Sequence, residues 1–133
     1  MDESAEPIVN TLNAPFWQGA KAGRLVLPHC ATTARAFWPP APVSPFVTSG
    51  AVDWRAVPAG GVLCALVTYE RVFQAAFRAL APYRIGLVAL DAGVRLQAHL
   101  AGASGGPEIG ARVAIGFASL AGGSLPVPVI RQG

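Results

Sequence analysis

The chain has 133 residues, 53% of them hydrophobic and only 13% charged, with a net charge of +3 from 10 basic and 7 acidic side chains. That length suits one domain with short appendages, and the scatter of the basic residues lacks the concentrated stripe of a nucleic-acid binder. Soluble proteins average about 25% charged residues, so either a permanent partner covers part of this surface or the alanines and glycines inflate the apolar count without making adhesive patches.

Residues 1–10 read as a loose leader, and the acidic Met1-Asp2-Glu3 has the wrong charge for a signal peptide. Asn13 is a candidate helix cap, Pro15 suits the first turn, and Gly23 suits the end. Phe16 and Ala20 then share one face with Trp17 beside them. Leu25 to Leu27 reads as a short strand stopped by Pro28. Pro39, Pro40, Pro42 and Pro45 make the following stretch an extended connector, held by Phe37, Trp38, Val43 and Phe46.

From Val52 the pattern is β. Strands are expected over Val52–Val57, Val62–Tyr69, Tyr83–Leu90, Val94–Leu100 and Arg112–Phe117, with Gly60-Gly61 as a break and Asp91-Ala92-Gly93 as a tight hairpin. In the fourth, Val94, Leu96, Ala98 and Leu100 alternate with Arg95, Gln97 and His99, so one face is buried and one is wet. Val113, Ile115 and Phe117 point inward in the fifth, and prolines restrict the extended tail Leu125–Ile130 to an edge. Five short strands with glycine-marked turns suggest a small closed barrel. Between the second and third, Phe73, Phe77 and Leu80 fall at i, i+4 and i+7, the stripe of a short amphipathic helix over Val72–Leu80.

These pieces together resemble a family of OB-fold proteins with an N-terminal rubredoxin-like zinc ribbon that associate with acyl-CoA enzymes. The likeness rests on Pro15-Phe16-Trp17 with Gly19, Gly23-Arg24-Leu25 leading to Cys30, and Phe37-Trp38-Pro39-Pro40. Further along it rests on Ala81-Pro82-Tyr83, Leu87 to Asp91 followed by Gly93 to Leu96, Ile109-Gly110 and Leu125-Pro126. It spans roughly Thr11 to Pro128. The implied fold class is all-β: a five-stranded OB-fold barrel (residues 51–133, with the tail) behind an N-terminal helix and a degenerate zinc-ribbon segment (residues 11–50).

The departure from the family pattern lies in the metal site. Where two C-x-x-C pairs are usual, this chain has Cys30, Thr33, Ser44 and Val47. Structural zinc takes four nitrogen or sulfur ligands, so zinc is expected to be absent and the ribbon to be held by Phe37, Trp38 and Phe46. The resemblance also implies accessory work beside a thiolase-like enzyme, a hotdog-fold enoyl-CoA hydratase or a thiolase-related aldolase, helping to shape the CoA channel in a hetero-oligomer.

Other constellations carry less. Gly102-Ala103-Ser104-Gly105-Gly106 spells G-x-S-x-G, but a strand follows at once instead of the helix a nucleophile elbow needs, so it reads as a turn. His99 reads as a solvated surface histidine and Cys64 as a small buried hydrophobe. Arg71, Arg78 and Arg84 suit either the phosphates of CoA or ordinary solubility. The stripe Phe73, Phe77, Leu80 either plugs the barrel end or, with Phe16 and Trp17, meets a partner. Two cysteines imply no disulfide framework, no apolar run approaches the roughly 20 residues of a membrane span, and a reducing cytoplasm is the expected compartment. A single-stranded nucleic-acid binder is the rival class; Tyr83 and Phe117 offer stacking, but Lys21 is the lone lysine. A stand-alone enzyme ranks last, because no nucleophile–base or carboxylate pair stands at a diagnostic spacing.

Overall fold

In a computed structural model, residues 10–69, 83–101, 105–119 and 126–132 are described. Helix α1 (Ala14–Lys21) leads to a two-stranded antiparallel sheet of β1 (Val26–Cys30) and β2 (Val52–Ala56). The barrel follows: β3 (Gly60–Tyr69), β4 (Tyr83–Leu90), β5 (Arg95–Leu100), β6 (Arg112–Ala118) and β7 (Val127–Gln132), closed in the order β3-β4-β5-β7-β6. The all-β barrel is therefore present, but its membership differs from the expectation at two places. The Val52 strand leaves the barrel and pairs with β1, from Val26 opposite Ala56 to Cys30 opposite Val52. The tail takes its place, antiparallel to β6 over six residues and parallel to β5 at His99 and Val129. Pro128 is accommodated because β7 needs only part of its backbone for pairing.

Local chemistry explains the ends of α1. Pro15 sits in its first turn. Gly23 adopts φ +74°, its N–H bonds the Ala20 carbonyl, and the Arg24 N–H reaches back to Gly19 at 2.8 Å. This doubled closure is a Schellman ending that needs a left-handed residue. Asn13 does not cap with its side chain. Its Oδ1 accepts the Asn10 N–H while the Asn10 Oδ1 accepts the Asn13 N–H. Gly19 lets the helix lie against β1, since a Cβ there would stand 2.5 Å from a Val26 methyl.

β1 runs on through Pro28 instead of stopping. A two-stranded sheet has only edges, where a missing N–H is tolerated, and the Pro28 carbonyl still accepts the Phe37 N–H at 3.0 Å. In β3 the register slips between Leu63 and Ala65. Cys64 is the residue left unpaired there; it follows the buried Leu63 and faces outward, where its Sγ donates to the Leu87 carbonyl at 3.1 Å, so it is exposed, not buried. The expected break at Gly60-Gly61 is instead the start of β3, and Gly61 passes close beneath the Ala89 carbonyl.

The core is continuous from α1 into the barrel. Leu63, Val88, Leu96, Val113, Ile115 and Ile130 fill the barrel, and Phe16, Leu25 and Leu27 join the same buried cluster. The alternation read in β5 is observed: Leu96, Ala98 and Leu100 are buried. At the mouth of the β4–β5 hairpin, Asp91 accepts both Arg112 guanidinium nitrogens at 2.7 and 2.8 Å. Among the described residues, no helix is long and apolar enough to cross a membrane.

Candidate functional site

A trough runs along the outer surface of the barrel where α1, the proline connector and β7 meet β4 and β5. Its largest part is a cleft of about 470 Å³ lined by Trp17, Trp38 and Pro39 and by Leu87, Gln97 and Pro128. Two smaller clefts, of about 230 and 190 Å³, continue it along the barrel, and Gln97 lines all three. The trough exists because the wet face of the sheet is not wet throughout. Ile85 and Leu87 of β4 are half-buried and Val67 of β3 is exposed, while β5 contributes the polar series Arg95, Gln97 and His99.

The aromatic wall is built from the inside outward. Phe16 is 1% exposed, with its ring centroid 4.7 Å from Trp38, 4.8 Å from Trp17 and 6.0 Å from Phe117 of β6. It therefore supports the wall that Trp17 and Trp38 present, and does not itself reach the surface. Among the described residues, the buried Trp17 Nε1–H has no hydrogen-bond partner. His99, expected to be solvated, is half-buried, and burial holds its imidazole below the ordinary 6.5, towards the neutral form.

Arg84, an expected CoA contact, is 5% exposed. Its guanidinium donates to the carbonyls of Ala101 and Gly105, each at 2.9 Å, and so ties down the ends of the loop after β5. Arg71, Arg78, Phe73, Phe77, Leu80 and the expected helix over residues 72–80 lie outside the described residues, as does Ser104. Gly105 and Gly106 both adopt positive φ, the conformation of a turn. What the trough offers chemically is surface: flat rings, aliphatic sides and a short polar row. Gln97 and Pro128 carried no signal in the sequence beyond their place on a wet face and in a tail, because the trough is made by elements distant along the chain.

The ribbon's metal positions do not suit zinc. Cys30 is fully buried, and the Thr33 N–H points at its sulfur over 3.4 Å. Thr33 and Ser44 stand at the second and third cysteine positions with hydroxyls in place of thiols, and Val47 at the fourth supplies no ligand. His29 is next in sequence, but successive strand residues face opposite sides, and its Nδ1 lies 2.9 Å from the Leu27 carbonyl. Among the described residues, no group of three His, Cys, Asp or Glu side chains converges.

Comparison with known proteins fits this geometry. Residues 17–43 match the model for the rubredoxin-like zinc ribbon domain of ChsH2, and residues 54–118 match that for its C-terminal OB-fold domain. A protein of Thermomonospora curvata described as a probable enoyl-CoA hydratase alpha subunit is 34% identical over 128 residues. That alignment takes in 94% of this chain but 39% of the relative, so the chain spans well under half the relative's length. A chain in the solved structure titled Ltp2-ChsH2(DUF35) aldolase superposes with a TM-score of 0.81 at 30% identity, covering 96% of this chain and 98% of that one. With both halves matched in order and 96% of the chain superposed, the chain belongs to the ChsH2-like (DUF35) family of zinc-ribbon and OB-fold proteins.

Proposed function

We propose that this chain is a non-catalytic accessory subunit that seats against a thiolase-like enzyme acting on acyl-CoA thioesters and helps to form the substrate channel. The observation that carries the proposal is the end-to-end likeness to a chain from an aldolase complex. The trough supports it physically. Protein interfaces favour rigid aromatic anchors at a partly apolar centre, and Trp17 and Trp38 stand where such anchors are needed. The loop stripe Phe73, Phe77 and Leu80 extends the same proposal beyond the described residues, and Arg71 and Arg78 there are the candidates for CoA phosphate contact. Arg84 also belongs to that set, although its two carbonyl bonds compete with a ligand.

A hydratase partner is the second reading, favoured by the enoyl-CoA hydratase alpha subunit among the relatives. Co-expression with thiolase-like and hydratase-like enzymes encoded alongside, followed by size exclusion, separates the two. The expected outcome is co-elution with one of them. Gln97→Arg places a charge at the middle of the trough on an exposed strand position, so it should abolish co-elution while leaving the fold intact; Phe77→Asp should do the same from the loop. Undiminished complex with both variants removes this surface from the interface. Turnover of acyl-CoA by the isolated chain removes the non-catalytic assignment.

A further inference from the structure

We propose that the ribbon has exchanged its metal for a hydrogen-bond clasp, in which the Cys30 sulfur is the common acceptor for Thr33 and Ser44, and that it folds without a metal ion. Two turns form the clasp. In the first, the Ala34 N–H returns to the Cys30 carbonyl at 2.8 Å, and Ala34 itself takes φ +60°. In the second, the Ser44 N–H bonds the Gly50 carbonyl and the Gly50 N–H bonds that of Val47. A Cβ built on Gly50 would lie 3.0 Å from the Ser44 Cβ and 3.1 Å from the Val47 Cβ, so these two side chains leave the backbone around one point. The former ligand positions thus still converge in pairs.

The two hydroxyls are wired alike. Thr33 Oγ1 accepts the N–H two residues on, from Arg35, and Ser44 Oγ accepts the N–H two residues on, from Phe46. A hydroxyl that accepts from the backbone keeps its proton to give, so in the proposed clasp both protons are available to the sulfur. The Thr33 N–H adds a third donor. Ser44, then Thr33, draw the thiol down to about 7 against the upward push of burial. The turns are joined outside the clasp as well, by the Arg35 guanidinium 3.9 Å above the Phe46 ring and by Phe37 packed edge-on to Phe46. A metal would have to displace these bonds while finding a single sulfur ligand, which tetrahedral zinc does not accept.

The test uses the full chain produced in zinc-supplemented medium. Elemental analysis should find far less than one zinc per chain, and a strong chelator should leave the melting temperature unchanged. Stoichiometric zinc, or melting that collapses on chelation, overturns the proposal. Ser44→Ala and Thr33→Val should each lower the melting temperature by about 5 °C, the loss of a donor to a buried acceptor; no shift in either overturns the clasp. Should those variants fail to fold, the triple variant Thr33→Cys, Ser44→Cys, Val47→Cys decides. It should take up about one zinc per chain, give the cobalt spectrum of a tetrahedral thiolate site, and melt in a chelator-dependent way. A folded triple variant that binds no metal shows that the turns do not retain the ligand geometry.

Discussion

Replacing Phe16 by Ala should separate the N-terminal unit from the barrel more than any other single change. Phe16 is 1% exposed and packs against Trp17, Trp38 and Phe117, which come from the helix, the connector and β6. Truncating a buried phenylalanine costs about 3–5 kcal/mol, because the lost transfer energy adds to an unfilled cavity. Aromatic pairs contribute roughly 0.5–1.5 kcal/mol beyond area, and three rings surround this one, so a loss near 4 kcal/mol is expected. For a chain of this length that corresponds to roughly 12 °C in melting temperature, and it is a large part of a total stability of about 5–15 kcal/mol. Urea unfolding followed by tryptophan fluorescence reads it directly, because Trp17 and Trp38 lie against the ring. A double-mutant cycle with Phe117→Ala should return a coupling of about 0.5–1.5 kcal/mol. A loss below about 1 kcal/mol, or zero coupling, refutes the continuous core. Partner binding should also weaken in Phe16→Ala, through a displaced Trp17, whereas Gln97→Arg should weaken binding with the stability unchanged.

Gly61→Ala would set a Cβ 2.5 Å from the Ala89 carbonyl oxygen, a backbone atom held in the β3–β4 ladder. Overpacking of about 1–3 kcal/mol should exceed the 0.4–1 kcal/mol gained by stiffening the unfolded chain, so a lowered urea midpoint is expected and a raised one contradicts the close approach. Arg84→Met keeps the stem but strands the Ala101 and Gly105 carbonyls; a loss of about 1–3 kcal/mol is expected, and unchanged stability would return Arg84 to the pool of ligand-binding arginines. His99 is held below 6.5 by burial, so as pH falls below 6.5 the unfolded chain gains a proton that the folded chain refuses. Stability should therefore drop from pH 6.5 downward, and His99→Gln should flatten that slope; an identical slope in the variant removes His99 as its source. Cys30 titrates in another window: its thiol is drawn down to about 7 from the ordinary 9.0, so its contribution is complete above pH 9 and fades as pH falls towards 7.

Much of this molecule is legible residue by residue. The strict alternation of Val94–Leu100 states which face of β5 is buried, and Gly23 marks the end of α1, because both are set within a few residues by side-chain direction and backbone sterics. The replacement of three ligand cysteines by Thr33, Ser44 and Val47 needs only the order of the letters. The trough was not legible. Gln97 and Pro128 look ordinary in the sequence, and Phe16, expected beside Trp17 at a partner surface, is 1% exposed in the structure.

From the sequence alone come the β class, the family and the loss of the metal ligands, since periodicity, turn chemistry and residue type are local properties. Only the tertiary structure decided that Val52–Ala56 pairs with Val26–Cys30 while Val127–Gln132 closes the barrel, that the register of β3 slips beside an exposed Cys64, and that the Thr33 N–H turns onto the buried Cys30 sulfur. A strand's pattern says which face is apolar; which strand it joins depends on backbone hydrogen bonds between residues far apart in the chain.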